Sequence, residues 1–243
     1  MSKDAIRLHV RQRLARTRVT RFPDDGKRVP NFQGAENAAA LLRRLTIWRR
    51  ARAIVFDTSA PQSMLRRSAL TEGKIVFLAV GGLRAERCFL ELDPERLGAR
   101  AWRAASLRRA LCSGRLITPD QLPAIDLVVT GAIAVNRQGA MIGIGGGLFD
   151  LKYGVLRHLG KIREYTPVVT TVHALQVIED RIPMRAHDVP FDFAVTPEDV
   201  IGAPSLYPRP RGVLWDLLPK DGTRLGGSLQ RRRRERPPRR TQG

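Results

Sequence analysis

The sequence predicts an α/β protein: a mainly parallel central sheet flanked by helices, followed by a disordered basic C-terminal tail. Three observations predict it. Short apolar runs alternate with stretches of helical periodicity, glycine or proline punctuates the junctions, and the last residues are arginine-rich with almost nothing to bury. At 243 residues and 43% hydrophobic content the chain can bury a substantial core, which excludes a disordered protein.

Lys3 to Arg18 places Ile6, Val10 and Leu14 at helical intervals among basic residues, an amphipathic basic helix. Residues 21–34 carry turn chemistry in Pro23, Asp24-Asp25-Gly26, Pro30 and Gly34, and helical periodicity resumes from Ala35 to Trp48. Ala53–Phe56 reads as a buried strand, Met64–Thr71 as a helix closed by Gly73, and Lys74–Val80 as a second strand ending at Gly81-Gly82. Ile125–Val129 and Val168–Val172 are the third and fourth strands, with a helix from about Phe149 to Leu159 between them. Phe191–Val195, closed by Thr196-Pro197, is the last strand, and the pattern fades after Trp215-Asp216. Residues 1–220 therefore read as one α/β domain and 221–243 as an Arg-rich disordered tail.

Lys and Arg number 43 against 23 Asp and Glu, a formal net charge of +20. Some surface should meet a polyanion such as nucleotide phosphate, nucleic acid or an acidic substrate. The charge is uneven, with eight Arg against two acids from Asp221 onward and seven bases against one acid in the first 21 residues. Two cysteines, Cys88 and Cys112, lack disulfide or zinc spacing and read as small buried hydrophobes in a reducing compartment. The apolar run around Ile125–Val135 is broken by Thr130 and Gly131, well short of the roughly 20 residues of a membrane span, and the start lacks a secretory apolar stretch. The expectation is a cytoplasmic protein with no membrane partner.

The most informative stretch runs from Gly139 to Asp150, with Gly143, Gly145, Gly146 and Gly147 between a strand and a helix. Alternating glycines permit left-handed backbone and close approach, and the helix beyond presents unpaired amides and its positive end, a setting suited to phosphate. A tight strand-to-helix turn would need the same glycines. Asp150, in the first turn of that helix, suits either a cap or a Mg²⁺ ion bridging phosphates.

Lys3-Asp-Ala-Ile-Arg7, Asp57-Thr-Ser-Ala-Pro-Gln with Arg66 or Arg67 and Gly73-Lys74, Ala79-Val80 with Leu83-Arg84, Asp126-Leu-Val-Val, Gly143-Ile-Gly-Gly-Gly, Thr171-Val-His173, His187-Asp-Val-Pro and Asp192-Phe-Ala-Val-Thr-Pro197 occur in one order. That order resembles the 5-formyltetrahydrofolate cyclo-ligase, or methenyltetrahydrofolate synthetase, family and especially its divergent archaeal and synthetase-domain-containing branch. The resemblance covers Lys3 to Trp215. It implies closure of 5-formyltetrahydrofolate to 5,10-methenyltetrahydrofolate with ATP and Mg²⁺, through phosphorylation of the formyl oxygen, and a folate-type small-molecule substrate. It assigns Lys3 and Arg7 to the nucleotide phosphates, Gly143, Gly145, Gly146 and Gly147 to the phosphate loop, and Asp150 to the metal. Met141 stands where the family usually has Arg, Ile144 where it has a basic residue or Tyr, Leu148 where it has an aromatic, and Gly81-Gly82 where the divergent branch has Pro-Arg.

Arg84, His173 and His187 complete the candidate pocket. Strand ends of an open α/β sheet line a ligand crevice, although either histidine could equally be held by Asp188 or backbone. His9 and His158 read as solvated. Arg231–Arg234, Arg236, Arg239 and Arg240 leave two readings of the tail, a solubilising appendage or a weak nucleic-acid contact through phosphates. The alternative function is accordingly a non-catalytic nucleotide- or RNA-binding protein on the same fold.

Overall fold

The computed structural model describes residues 1–22, 25–82, 85–204 and 206–217. The chain opens with α1 (Lys3–Arg16), started by Ser2, whose hydroxyl accepts from the Ala5 amide. Asp4 in its first turn and Arg13 and Arg16 in its last both suit the helix dipole. The helical pattern after residue 34 divides into α2 (Ala35–Arg44) and α3 (Thr46–Arg50), because Leu45 is extended (φ −71°, ψ 144°) where the periodicity gives no warning. Gly34 precedes α2 with φ +82°, and a Cβ there would lie 2.7 Å from Cγ of Pro197. Only glycine meets both demands.

Strands and helices then alternate: β1 (Ala53–Phe56), α4 (Ser63–Thr71), β2 (Ile75–Ala79), β3 (Phe89–Leu92), α5 (Pro94–Leu97), α6 (Leu107–Ser113), β4 (Arg115–Ile117) and β5 (Leu127–Gly131). After them come β6 (Ala134–Asn136), β7 (Met141–Ile142), α7 (Leu148–His158), β8 (Val168–Thr171), β9 (Val177–Ile178), β10 (Phe193–Val195) and β11 (Val200–Gly202). Eight strands form one sheet in the order β11-β10-β8-β5-β1-β2-β3-β4. The five from β10 to β2 are parallel, with Ile54 flanked by Val76 and Leu127, and they answer to the five apolar runs of the sequence. The pairs β2–β3, β3–β4 and β10–β11 are antiparallel additions at the edges.

Alternate side chains fill the two faces. Ile54, Phe56, Val76, Leu78, Leu127 and Val129 pack under α2, α3, α4 and the 3-10 segment Gly98–Ala105, while Val55, Phe77, Phe89 and Val128 pack under α7. Full burial of each such large side chain contributes about 1.5–3 kcal/mol. Cys88 is buried as the sequence predicts, but Cys112 is exposed, because α6 lies at the sheet margin and only Ala110 of it is buried.

A second sheet, in the order β7-β6-β9, positions the candidate site. Ile6, Val10 and Leu14 of α1 pack against Ile133, Ala134, Ala140, Ile142, Ile178 and Ile182, fixing the N-terminus of the chain beside the loop that leaves β7. No helix among the described residues is long and apolar enough to cross a membrane.

Candidate functional site

The loop between β7 and α7 is built from backbone. Gly145, Gly146 and Gly147 have φ of +110°, +73° and +61°. Three successive left-handed residues thus replace the alternation predicted at 143, 145 and 147, and Gly143 is not among the positive-φ glycines. Gly147 is the N-cap of α7 and has no side chain to cap it, so the first-turn amides of the helix depend on another acceptor. A Cβ added at Gly143 or Gly146 would meet nothing within 4 Å, and one at Gly145 would meet only the Arg7 guanidinium, 3.7 Å away. Open space bordered by amides and a guanidinium suits an anion.

The cations come from α1. Arg7 donates through Nε to the Gly143 carbonyl (2.8 Å) and through Nη1 to Asp4. Lys3, one turn earlier, pairs with Asp188. Asp150 does not cap its own helix, which corrects one of its two sequence readings: its Oδ1 accepts from the Val189 amide (3.0 Å). Burial pushes the Asp150 carboxyl above the usual range and the nearby Asp188 charge adds to this, against the Val189 bond, His187 and Lys3. His187 places Nε2 3.6 Å from Asp188, and its buried Nδ1 has no partner. Two neighbouring carboxylates, one disfavoured as an anion, fit a divalent cation. Among the described residues no cluster of three or more acids, histidines or cysteines could hold a metal unaided, so phosphate oxygens would have to complete its shell, the usual arrangement for Mg²⁺.

The structure brings Lys3, Arg7, the glycines, Asp150 and His187 together. His173 lies elsewhere, edge-on to Phe32 with Nδ1 accepting from the Leu175 amide. Arg84 and the tail from residue 221 are outside the described residues. His158, read as solvated, is exposed but also stands edge-on to Trp215.

Lys152 is the residue that sequence reasoning missed. It is 2% exposed, and burial pulls its ammonium down to about 8. The available signal was its position three and four residues before the buried Val155 and Leu156, on the inward face of α7. At the carboxyl ends of β1 and β5 a second polar network is internally satisfied. Asp57 accepts from Ser59, Thr130 and the Gly131 amide, and buried Arg66 donates to the carbonyls of Asp57, Ser59 and Ala105.

The sequence pattern of the 5-formyltetrahydrofolate cyclo-ligase family matches residues 1–197. Methenyltetrahydrofolate synthase domain-containing proteins of Bos taurus and Mus musculus are 32% identical over 228 residues and 31% over 229. Each match takes in 90% of this chain and 58% or 59% of the relative, so the chain spans about six-tenths of their length. A solved Aquifex aeolicus 5,10-methenyltetrahydrofolate synthetase is similar in fold, with a TM-score of 0.50 at 17% identity over 83% of this chain and 96% of that one. The family match runs from α1 through the glycine loop to the Asp188 segment and ends at Pro197, and on that extent the chain belongs to the 5-formyltetrahydrofolate cyclo-ligase family.

Proposed function

We propose that the chain cyclises 5-formyltetrahydrofolate to 5,10-methenyltetrahydrofolate with ATP and Mg²⁺. The observation that carries the reading is Arg7 on the Gly143–Gly147 loop, with Lys3 paired to Asp188 and both beside Asp150. ATP, when bound, supplies the γ-phosphoryl group that makes the formyl oxygen a leaving group. The loop amides and the start of α7 hold phosphate oxygens, and Arg7 neutralises their charge, joined by Lys3 where phosphate displaces Asp188. Asp150 and Asp188 would hold the cation. Such a site needs no protein nucleophile, since positioning and charge neutralisation are the main demands of phosphoryl transfer. The test is incubation of the purified protein with 5-formyltetrahydrofolate, ATP and Mg²⁺. Growth of methenyltetrahydrofolate absorbance that requires all three is expected, and none at stoichiometric enzyme overturns the reading.

A further inference from the structure

Lys152 lies on α7, five residues beyond Gly147. Its Nζ donates to the Val80 carbonyl at 2.9 Å and sits 5.7 Å from the centre of the Phe89 ring. No carboxylate among the described residues pairs with it, and the neighbouring Cys88 is itself buried. Taking an ammonium out of water without a counter-ion is among the costliest features a core can contain, whereas a neutral amide could bond to Val80 without that cost. The bond to Val80 therefore gives no reason for a charged group here.

The surroundings supply one. Lys3 is neutralised by Asp188 and Arg7 is shared with Asp4, while Met141, Ile144 and Leu148 along the loop carry no charge. Lys152 is a cation whose charge the described residues leave uncompensated, on the inward face of the helix whose first amides border the loop. Its bond also fixes the end of β2 one residue before Gly81, which has φ +59°. We propose that Lys152 is a positioning residue for a phosphorylated ligand: it ties the exit of β2 to α7, and its buried charge supplies positive potential that the loop's own residues lack. The inference rests on the reading of the glycine loop as a phosphate site.

The test compares the wild-type chain with Lys152→Met and Lys152→Gln by thermal unfolding and by calorimetric titration with inorganic tripolyphosphate. Lys152→Met loses the bond to Val80 together with the charge and should bind tripolyphosphate about tenfold more weakly. Lys152→Gln keeps a donor for Val80 without the charge, and should unfold no lower than wild type while binding as weakly as the Met variant. In turnover the loss should appear in KM for the nucleotide, with kcat little changed. Wild-type affinity in both variants overturns the proposal. A Lys152→Gln chain less stable than wild type also overturns it, because the charge would then be structural. If the wild-type chain binds no tripolyphosphate, the phosphate-site reading itself falls, and this proposal with it.

Discussion

Lys3 and Asp188 form an ion pair across 185 residues of sequence, and through it the first turn of the chain is held against the segment that also fixes Asp150. In this arrangement Asp188 competes with an incoming phosphate for the Lys3 ammonium. Asp188→Asn should therefore raise metal-free tripolyphosphate affinity by about three- to tenfold while lowering the unfolding temperature. Titration calorimetry reads the first effect, and weaker binding in a folded variant would sink the argument.

Gly146 offers a cleaner probe of the loop than its neighbours, since its φ of +73° is one that Asn and Asp tolerate and a Cβ there meets nothing. Gly146→Asn and Gly146→Asp impose the same strain and differ in charge. ATP affinity should fall about tenfold further in the Asp variant at matched stability. Equal affinities would remove the phosphate from the loop.

Asp150→Asn keeps an acceptor for the Val189 amide and removes a buried charge. The variant should be at least as stable as wild type, yet its ATP affinity should no longer respond to Mg²⁺. Titrations with and without the ion decide it, and an undiminished response would take the metal away from Asp150.

Burial holds the His173 ring below the usual histidine range, and Nδ1 must stay unprotonated to accept from the Leu175 amide. The unfolded chain then binds this proton more readily than the folded one. Stability should fall as the pH drops through about 6.5 and level off below the folded value. Urea midpoints between about pH 5 and 7.5 should show a shallower slope for His173→Asn. Identical slopes would exclude His173 as the source.

Gly34→Ala must relieve both a left-handed backbone and the contact with Pro197. A loss of roughly 1–3 kcal/mol in urea unfolding is expected. A neutral result would mean that the start of α2 yields easily.

The five parallel strands were legible because each is a continuous apolar run, as a strand buried on both faces must be. The strands β6, β7, β9 and β11 hold two or three residues each, too few to show a period, and their pairing is set by neighbours distant in sequence. At the site the glycines announced themselves through composition. Lys152 did not, since lysine ordinarily marks solvent and only its place among inward residues argues otherwise. The Asp188 partner of Lys3 was unreadable because nothing local encodes a contact across 185 residues.

The apolar face of α1 has consequences during synthesis. Ile6, Val10 and Leu14 are synthesised before the partners they pack against, which extend to Ile178 and Ile182. At about 5–20 residues per second the helix waits on the order of ten to thirty seconds before its seat exists. During that interval a basic helix with an uncovered apolar stripe is available to chaperones, to nucleic acid and to other nascent chains. The two cations of the site thus lie on an element whose apolar face is covered only late in synthesis. Deleting the partners near residue 180 should strand the first helix as well as the last turns of the site.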